Sequence, residues 1–366
     1  MSDKQTGSNS YRKAGVDAAA ASQAVSDFSS LIKNTFTFHE NVGKVLLDLG
    51  YFANVIDVGD NKGIAISTDG VGTKILIAQA MKKYDTVGID CVAMNVNDVL
   101  CVGARPLALV DYIAVEIADS GFINQLMKGI YEGCVQADVS IPAGEIAQVK
   151  ELLHPGCDGK SFDLVATCIG IVPVDRILTG KNIRPGDLVI GLQSSGIHSN
   201  GFTLARRVLL HGGRYSLGES AGNLQHSLGE EILQPTRIYV KPVLEMLDRS
   251  LDVKALVHIT GDGLLNLNRV ASAVGFEIGD LPAPPPIFNL IQSAGGITDE
   301  EMYYVFNMGI GFCVVLSPAD ADKAVEIAAE HNIPASVIGR AVADPDKKVL
   351  IPQKKLVGLK NKFVRQ

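Results

Sequence analysis

Residues 85–104 read "DTVGIDCVAMNVNDVLCVGA", a long apolar run broken at Asp90, Asn97 and Asp98. A stretch this apolar must be buried, and its length predicts a buried helix with Asp85 and Thr86 as N-cap candidates. At 100° per residue, Asp90 and Asn97 lie within about 20° of each other around that helix, and Asp98 lies about 80° from Asp90. A carboxylate among Val92, Met94, Val96 and Val99 is costly to bury unless it is paired or bound to a cation. A structural partner such as Arg105 would serve a lone acid, whereas three polar interruptions favour a metal or ligand site.

The segments around this helix set the fold class. "GIAIST" before it and "PLALVDYIAVEI" after it read as strands. A second helix is predicted over about 121–137, where Phe122, Leu126, Ile130 and Cys134 form one apolar stripe. "VSIPAGEI" and "FDLVATCIGIVPV" supply two more strands, so helices cover a sheet in an α+β or α/β layer. The turn residues of "ILTGKNIRPGD" place a domain boundary near residue 174. In the second part, 175–350, "LVIGL" and "FNMGIGFCVVL" read as strands, and "FTLARRVLL" and "RIYVKPVLEML" as helices. "SPADADKAVEIAAEHN" is a further helix, with Ser317 as N-cap and Pro318 at its first position. Residues 351–366 are locally basic and read as a solvated tail.

Composition narrows the function classes. The 366 residues suit two domains. Lys and Arg number 33 against 40 Asp and Glu, a net charge of −7, which argues against a nucleic-acid partner but leaves room for small anions. No apolar run is long enough for a bilayer, and "MSDKQTGSNSYRKAG" lacks the apolar region of a signal peptide. None of the six cysteines forms a CxxC pair, so neither a zinc ribbon nor a thioredoxin-type site is indicated, and a reducing cytoplasm is expected.

Three glycine-rich strand ends carry the candidate chemistry. "STDGVGTK", residues 67–74, lacks the spacing of a Walker loop. It reads either as a bare turn, or as a site where Asp69 holds magnesium and Lys74 meets a phosphate as a point charge. Glu145, in "PAGE", is a candidate to join that group. "GLQSSGIHSNGFTLARRVL" runs from a strand into a helix start, which favours anions, and His198 suits either a structural or a catalytic role. "VHITGDGLLNLNRV" sets His258 and Thr260 before a turn containing Asp262, with Arg269 following. Together the three strand ends suggest one cleft for a phosphorylated ligand.

These stretches, with "YRKAGVD", "PTRIYVKPVLE" and "EMYYVFNMGIGF", resemble the motifs of the phosphoribosylformylglycinamidine cyclo-ligase family, the aminoimidazole ribonucleotide synthetases of purine biosynthesis. The resemblance runs from about residue 11 to residue 345. It implies a two-domain fold in which an N-terminal α+β domain pairs its sheet across a homodimer and a C-terminal α/β domain follows. It implies ATP, Mg2+ and a small phosphoribosyl substrate, with ring closure through a phosphorylated formyl oxygen. By the same resemblance Asp69, Asp90 and Glu145 would hold magnesium, supported by Asn97 and Asp98. Gly70, Gly72, Thr73 and Lys74 would face ATP phosphates. His198 and Asn200, with His258 and Thr260, would line the substrate side. Lys74, His198 and Asp98 would be the catalytic residues.

The chain also departs from the family pattern. Gln148 stands where a second acid is usual, Asp262 enters the "TGDG" turn, and Asn266 replaces a glutamate. "DLGYFANVI" replaces a glycine-rich loop, and an early lysine falls at Ser29 in register, with Lys33 one turn later. These changes leave open another ATP-dependent phosphate-activating reaction on the same fold, or a non-catalytic nucleotide-binding regulator.

Overall fold

The computed structural model describes Gly15 and residues 18–153 and 159–366. Most of "YRKAGVD" and Cys157 lie outside the described residues. Two sheets organise the chain into a mixed α/β, two-part architecture. The first has five strands: β1 (Asn54–Asp57), β2 (Lys62–Gly70), β3 (Arg105–Val115), β4 (Ser140–Gln148) and β5 (Phe162–Pro173), in the order β1-β2-β5-β3-β4. Only the β3–β4 pair is parallel, and helix α4 below provides its crossover.

Helix α1 (Ala18–Thr35) precedes this sheet and is tied to the next loop by a Lys33–Asp48 ion pair of 2.7 Å. Helices α2 (Ile75–Met81), α3 (Asp85–Leu100) and α4 (Ser120–Ala137) follow the strands as the apolar spacing demands. Helix α3 is the predicted buried helix, but its N-cap is Tyr84 and Asp85 is already its first helical residue. The stripe Phe122, Leu126, Ile130 and Cys134 is buried as expected. Two glycines let α3 and α4 touch backbone to backbone. A Cβ on Gly88 would lie 2.4 Å from the Ile130 nitrogen, and one on Gly129 would lie 1.9 Å from the Asp85 carbonyl. These helices cover one face of the sheet. On the other face Tyr112 and its β4 partner Glu145 are exposed, and β4 is open along nearly its whole length.

The second sheet has eight strands in the order β13-β12-β11-β8-β10-β6-β9-β7. They are β6 (Leu188–Gln193), β7 (Val253–His258), β8 (Gly275–Ile278), β9 (Ile310–Leu316), β10 (Ala335–Val342), β11 (Val349–Ile351), β12 (Leu356–Leu359) and β13 (Lys362–Arg365). Helices α5 (Phe202–Leu210), α6 (Leu228–Ile232), α7 (Val240–Asp248), α8 (Pro286–Gly295), α9 (Asp299–Val305) and α10 (Ala321–Glu330) flank it. Strand β9 is buried at every position, as its unbroken apolar run predicts for a central strand. A 3₁₀ turn, Pro318–Asp320, precedes α10, so Pro318 opens that turn and Ser317 makes no side-chain cap.

Residues 351–366 are not a solvated tail. They build the hairpin β12–β13 on the sheet edge, where Phe363 is buried against Tyr303 and the Cα of Gly358 packs close to Leu265. The basic residues sit on the outer side, and the apolar residues between them drive the pairing. Among the described residues no helix is long and apolar enough to cross a membrane, and the five described cysteines are free and buried.

Candidate active site

Asp69 stands near the end of β2. Strand β1 pairs with β2 only as far as Ile66, so beyond that point the outer edge of β2 has no strand neighbour. The side-chain amide of Asn95, on α3, takes the strand's place: its Oδ1 accepts from the Asp69 N–H at 2.9 Å and its Nδ2 donates to the Asp69 carbonyl at 3.1 Å. The Asp69 carboxylate accepts from the Gly70 N–H at 2.7 Å. Burial, and next the charge of Asp98, push its pKa up to about 6. Asp98 in turn meets His258 Nδ1 at 2.8 Å. Asn266 donates to the His258 carbonyl at 3.2 Å and to Thr260 Oγ1 at 3.0 Å, which orders the strand end that carries both. Asp69, Asp98 and His258 therefore come together from three elements.

Beyond Asp69 the chain turns through Gly70, Gly72 (φ +69°) and Thr73. Gly72 and Thr73 are exposed, and a Cβ on Gly72 would have nothing within 4 Å, so the backbone there is open to a ligand. Thr73 Oγ1 lies 3.1 Å from Thr203 Oγ1 on α5, which links the two halves of the molecule. A cavity of about 210 Å³ runs along the preceding residues, lined by Asp48, Tyr51, Phe52, Ile66 and Thr68 among others. Its wall is held by Arg269, whose guanidinium stacks 4.8 Å from the Phe52 ring centroid and bonds to Asp262 at 3.1 Å.

Lys74 does not face this opening. It is fully buried, and its ammonium lies 2.9 Å from each oxygen of Asp90, 3.1 Å from the His198 carbonyl and 2.6 Å from the Gln234 carbonyl. An ammonium has three donors, and these partners use them all, so none is left for a phosphate. Burial lowers its pKa, opposed by Asp90. Asp90 Oδ1 accepts from the Thr236 N–H at 2.7 Å, Thr236 Oγ1 at 2.6 Å and Ser199 Oγ at 3.2 Å, while Oδ2 has the ammonium of Lys74 alone. Asp90 is an ion-pair partner of Lys74, and the partner is not Arg105, which pairs with Asp248. Asn97 is likewise structural: it donates to the Arg237 carbonyl at 2.9 Å and accepts from the Tyr239 N–H at 3.0 Å.

Glu145 is exposed on β4. Strands β5 and β3 separate it from β2, and three strand spacings amount to roughly 14 Å. One ion cannot bridge Asp69 and Glu145 across that distance. Among the described residues no three His, Cys, Asp or Glu side chains are grouped to hold a metal, so the expected Asp69–Asp90–Glu145 triad does not assemble.

The His198 loop lies against the same region. His198 adopts φ +66° and is buried; its Nε2 accepts from the N–H groups of Ser195 at 3.1 Å and Arg237 at 3.4 Å, so the proton sits on Nδ1. Burial, followed by the charges of His258, Lys74 and Arg237, holds its pKa well below the ordinary histidine value. Asn307 fixes the loop from β9's side by donating to the carbonyls of Gly196 and Ile197. Asn200 is half-buried, and a Cβ on Gly261 would lie 3.5 Å from its Oδ1, so the two C-terminal strand ends meet here. Asn95, Ser199, Thr236, Arg237 and Asn307 are not marked out by the sequence, because single polar residues carry no periodic signal, even though the last four lie within the glycine-rich and family-like stretches. A second asparagine within "MNVND" was the one available hint of Asn95.

Comparison with known proteins places this arrangement. Residues 50–172 match the family model for the N-terminal domain of AIR synthase related protein, and residues 184–352 match that for its C-terminal domain. The phosphoribosylformylglycinamidine cyclo-ligase of Methanothermobacter thermautotrophicus is 46% identical over 324 residues, covering 88% of this chain and 92% of the relative. That of Thermococcus kodakarensis is 46% identical over 341 residues, covering 93% and 97%. Among solved structures, AaThiL complexed with AMPPCP and TMP matches with a TM-score of 0.62 at 16% identity, over 91% of this chain and 94% of that one. T. maritima PurL complexed with ADP matches with 0.56 at 18% identity, over 88% of this chain and 49% of the other. These two share the fold. With both family models matched in order and relatives alike along nearly its whole length, the chain belongs to the AIR synthase related family, beside the phosphoribosylformylglycinamidine cyclo-ligases.

Proposed function

We propose that the protein closes the imidazole ring of aminoimidazole ribonucleotide from phosphoribosylformylglycinamidine, with ATP converted to ADP and phosphate. The observation that carries this reading is the identity to named cyclo-ligases along nearly the whole chain. The formyl oxygen attacks the γ-phosphorus and ADP leaves. A substrate nitrogen then forms the C–N bond, and phosphate departs with the former formyl oxygen.

The open backbone at Gly70, Gly72 and Thr73 receives the ATP phosphates. Asp69 and Asp98 are the carboxylates that would hold magnesium: burial, and next the charge of Asp98, raise the pKa of Asp69, and a dication would relieve both. Such an ion, when bound, neutralises phosphate charge. His258 orients Asp98 through Nδ1. Asn200 and Thr260 line the substrate side, with His198 behind them as a neutral imidazole. Asp90, Glu145, Asn97 and Lys74 are not assigned to ATP or metal.

Two further elements belong to this reading. The uncovered face of the first sheet, with Tyr112 exposed beside Glu145, pairs with its mate in a homodimer. The domains divide near residue 174, and the protein works in the cytoplasm.

The test is direct. Pure protein with Mg-ATP and phosphoribosylformylglycinamidine should yield aminoimidazole ribonucleotide and ADP in equal amounts. Folded protein that forms no imidazole product at any pH tried would refute the proposal. ADP release driven by a different metabolite would point to another reaction on this fold.

A further inference from the structure

We propose that Lys74 is a positioning residue: with Asp90 it latches the two halves of the molecule together around His198, and it never touches a nucleotide phosphate. Lys74 and Asp90 belong to the N-terminal part, on the 3₁₀ turn Gly72–Lys74 and on α3. Every other partner of the pair comes from the C-terminal part. Lys74 Nζ donates to the carbonyls of His198 and Gln234 and lies 5.5 Å from the ring centroid of Phe202, which opens α5. Asp90 accepts from Ser199 and twice from Thr236. The two C-terminal segments so held, 194–200 and 234–237, are also the two that grip His198 Nε2, through the N–H groups of Ser195 and Arg237.

A buried ion pair is favourable only when its remaining donors and acceptors are satisfied. Here each further bond of the pair crosses between the two halves, and those to Asp90 all fall on Oδ1, which leaves Oδ2 with the ammonium alone. The burden of desolvation is thereby turned into a constraint on where His198 stands. Its left-handed backbone, φ +66°, costs about 1 kcal/mol or more for a non-glycine residue and persists only where surrounding contacts over-determine it. The latch supplies those contacts at the carbonyl of His198 and the hydroxyl of Ser199. This structural claim stands without the reaction; its consequence for turnover rests on the cyclo-ligase reading.

Lysine acylation of the wild-type protein, read by mass spectrometry, tests the location. Lys74 should stay unmodified with and without Mg-ADP while exposed lysines such as Lys62 react. Labelling of Lys74 that Mg-ADP suppresses would overturn the proposal. Lys74→Met, Asp90→Asn and the double variant test the coupling by amide hydrogen exchange and by kinetics. Each single change should speed exchange at Ser195, Thr236 and Arg237 by about 10-fold or more, and the double change should restore much of that protection, because no buried charge is left alone. For turnover, kcat should fall by roughly 10-fold or more while KM for Mg-ATP moves less than about 3-fold. A rise in KM with exchange unchanged would make Lys74 a phosphate ligand and sink the idea. If phosphoribosylformylglycinamidine is not the substrate, kinetics drop out, while acylation and exchange still decide the latch.

Discussion

The amide of Asn95 grips the backbone of Asp69 at both its N–H and its carbonyl, at 2.9 and 3.1 Å. A helix side chain thus completes a strand edge where β1 has stopped, and it fixes the height at which the Asp69 carboxylate emerges. A third bond, from Nδ2 to the Cys91 carbonyl at 2.8 Å, anchors the asparagine to its own helix.

Asn95→Ala should therefore cost more than an ordinary surface change. It strands a buried backbone donor and acceptor, which predicts a loss of about 1–3 kcal/mol, measurable as a lower urea midpoint at unchanged slope. ADP release should fall further than stability explains, because Asp69 loses its register. A variant with wild-type midpoint and turnover would show that Asn95 is dispensable.

Asp69 predicts a pH dependence. Its folded pKa of about 6 lies above the ordinary 3.8, so the folded state holds the proton more tightly than the unfolded chain. That contribution is fully present below the unfolded value and is lost as pH rises through about 6. At 1.36 kcal/mol per pKa unit the loss is about 2–3 kcal/mol. Without divalent ions, Asp69→Asn should remove this slope and be more stable than wild type at pH 7.5. Magnesium should restore stability to the wild type alone and should bind poorly below pH 6. Equal magnesium effects on both proteins would count against Asp69 as a metal contact.

The α3–α4 contact predicts intolerance at Gly88. A methyl there would meet the Ile130 nitrogen and, at 2.5 Å, the Leu126 carbonyl, both backbone atoms that cannot rotate away. Gly88→Ala should destabilise by about 2 kcal/mol or more. Gly121→Ala on α4, where the nearest atom is the Asp119 carboxylate at 3.5 Å, should be neutral or slightly stabilising. Thermal unfolding of the pair checks this.

The terminal hairpin predicts a stability effect without a catalytic one. Phe363→Ala empties a buried site beside Tyr303 and should cost about 3 kcal/mol. Arg365→Ala breaks only an exposed pair with Glu300 and should cost less than about 1 kcal/mol. If Phe363→Ala leaves the melting temperature unchanged, the hairpin is not part of the fold.

Much of the architecture was legible in the chain. The apolar spacing of 85–100 and of 120–137, and the unbroken run at 310–316, correspond to α3, α4 and β9, because periodic burial leaves a periodic signal. The last sixteen residues misled, since their lysines outweigh Leu356, Val357 and Phe363 when the edge they pair with is unknown.

The site divides differently. Sequence alone determined which residues had to be accounted for: an acid in an apolar helix cannot be buried without a partner, and Asp90 demanded one. Only tertiary structure decided that the partner is Lys74, sixteen residues before it, and that Asp69 instead stands beside Asp98 and His258. The reason is physical. The cost of burying charge is a property of the residue and its neighbours along the chain. The group that repays the cost can come from any element the fold brings within a few ångströms.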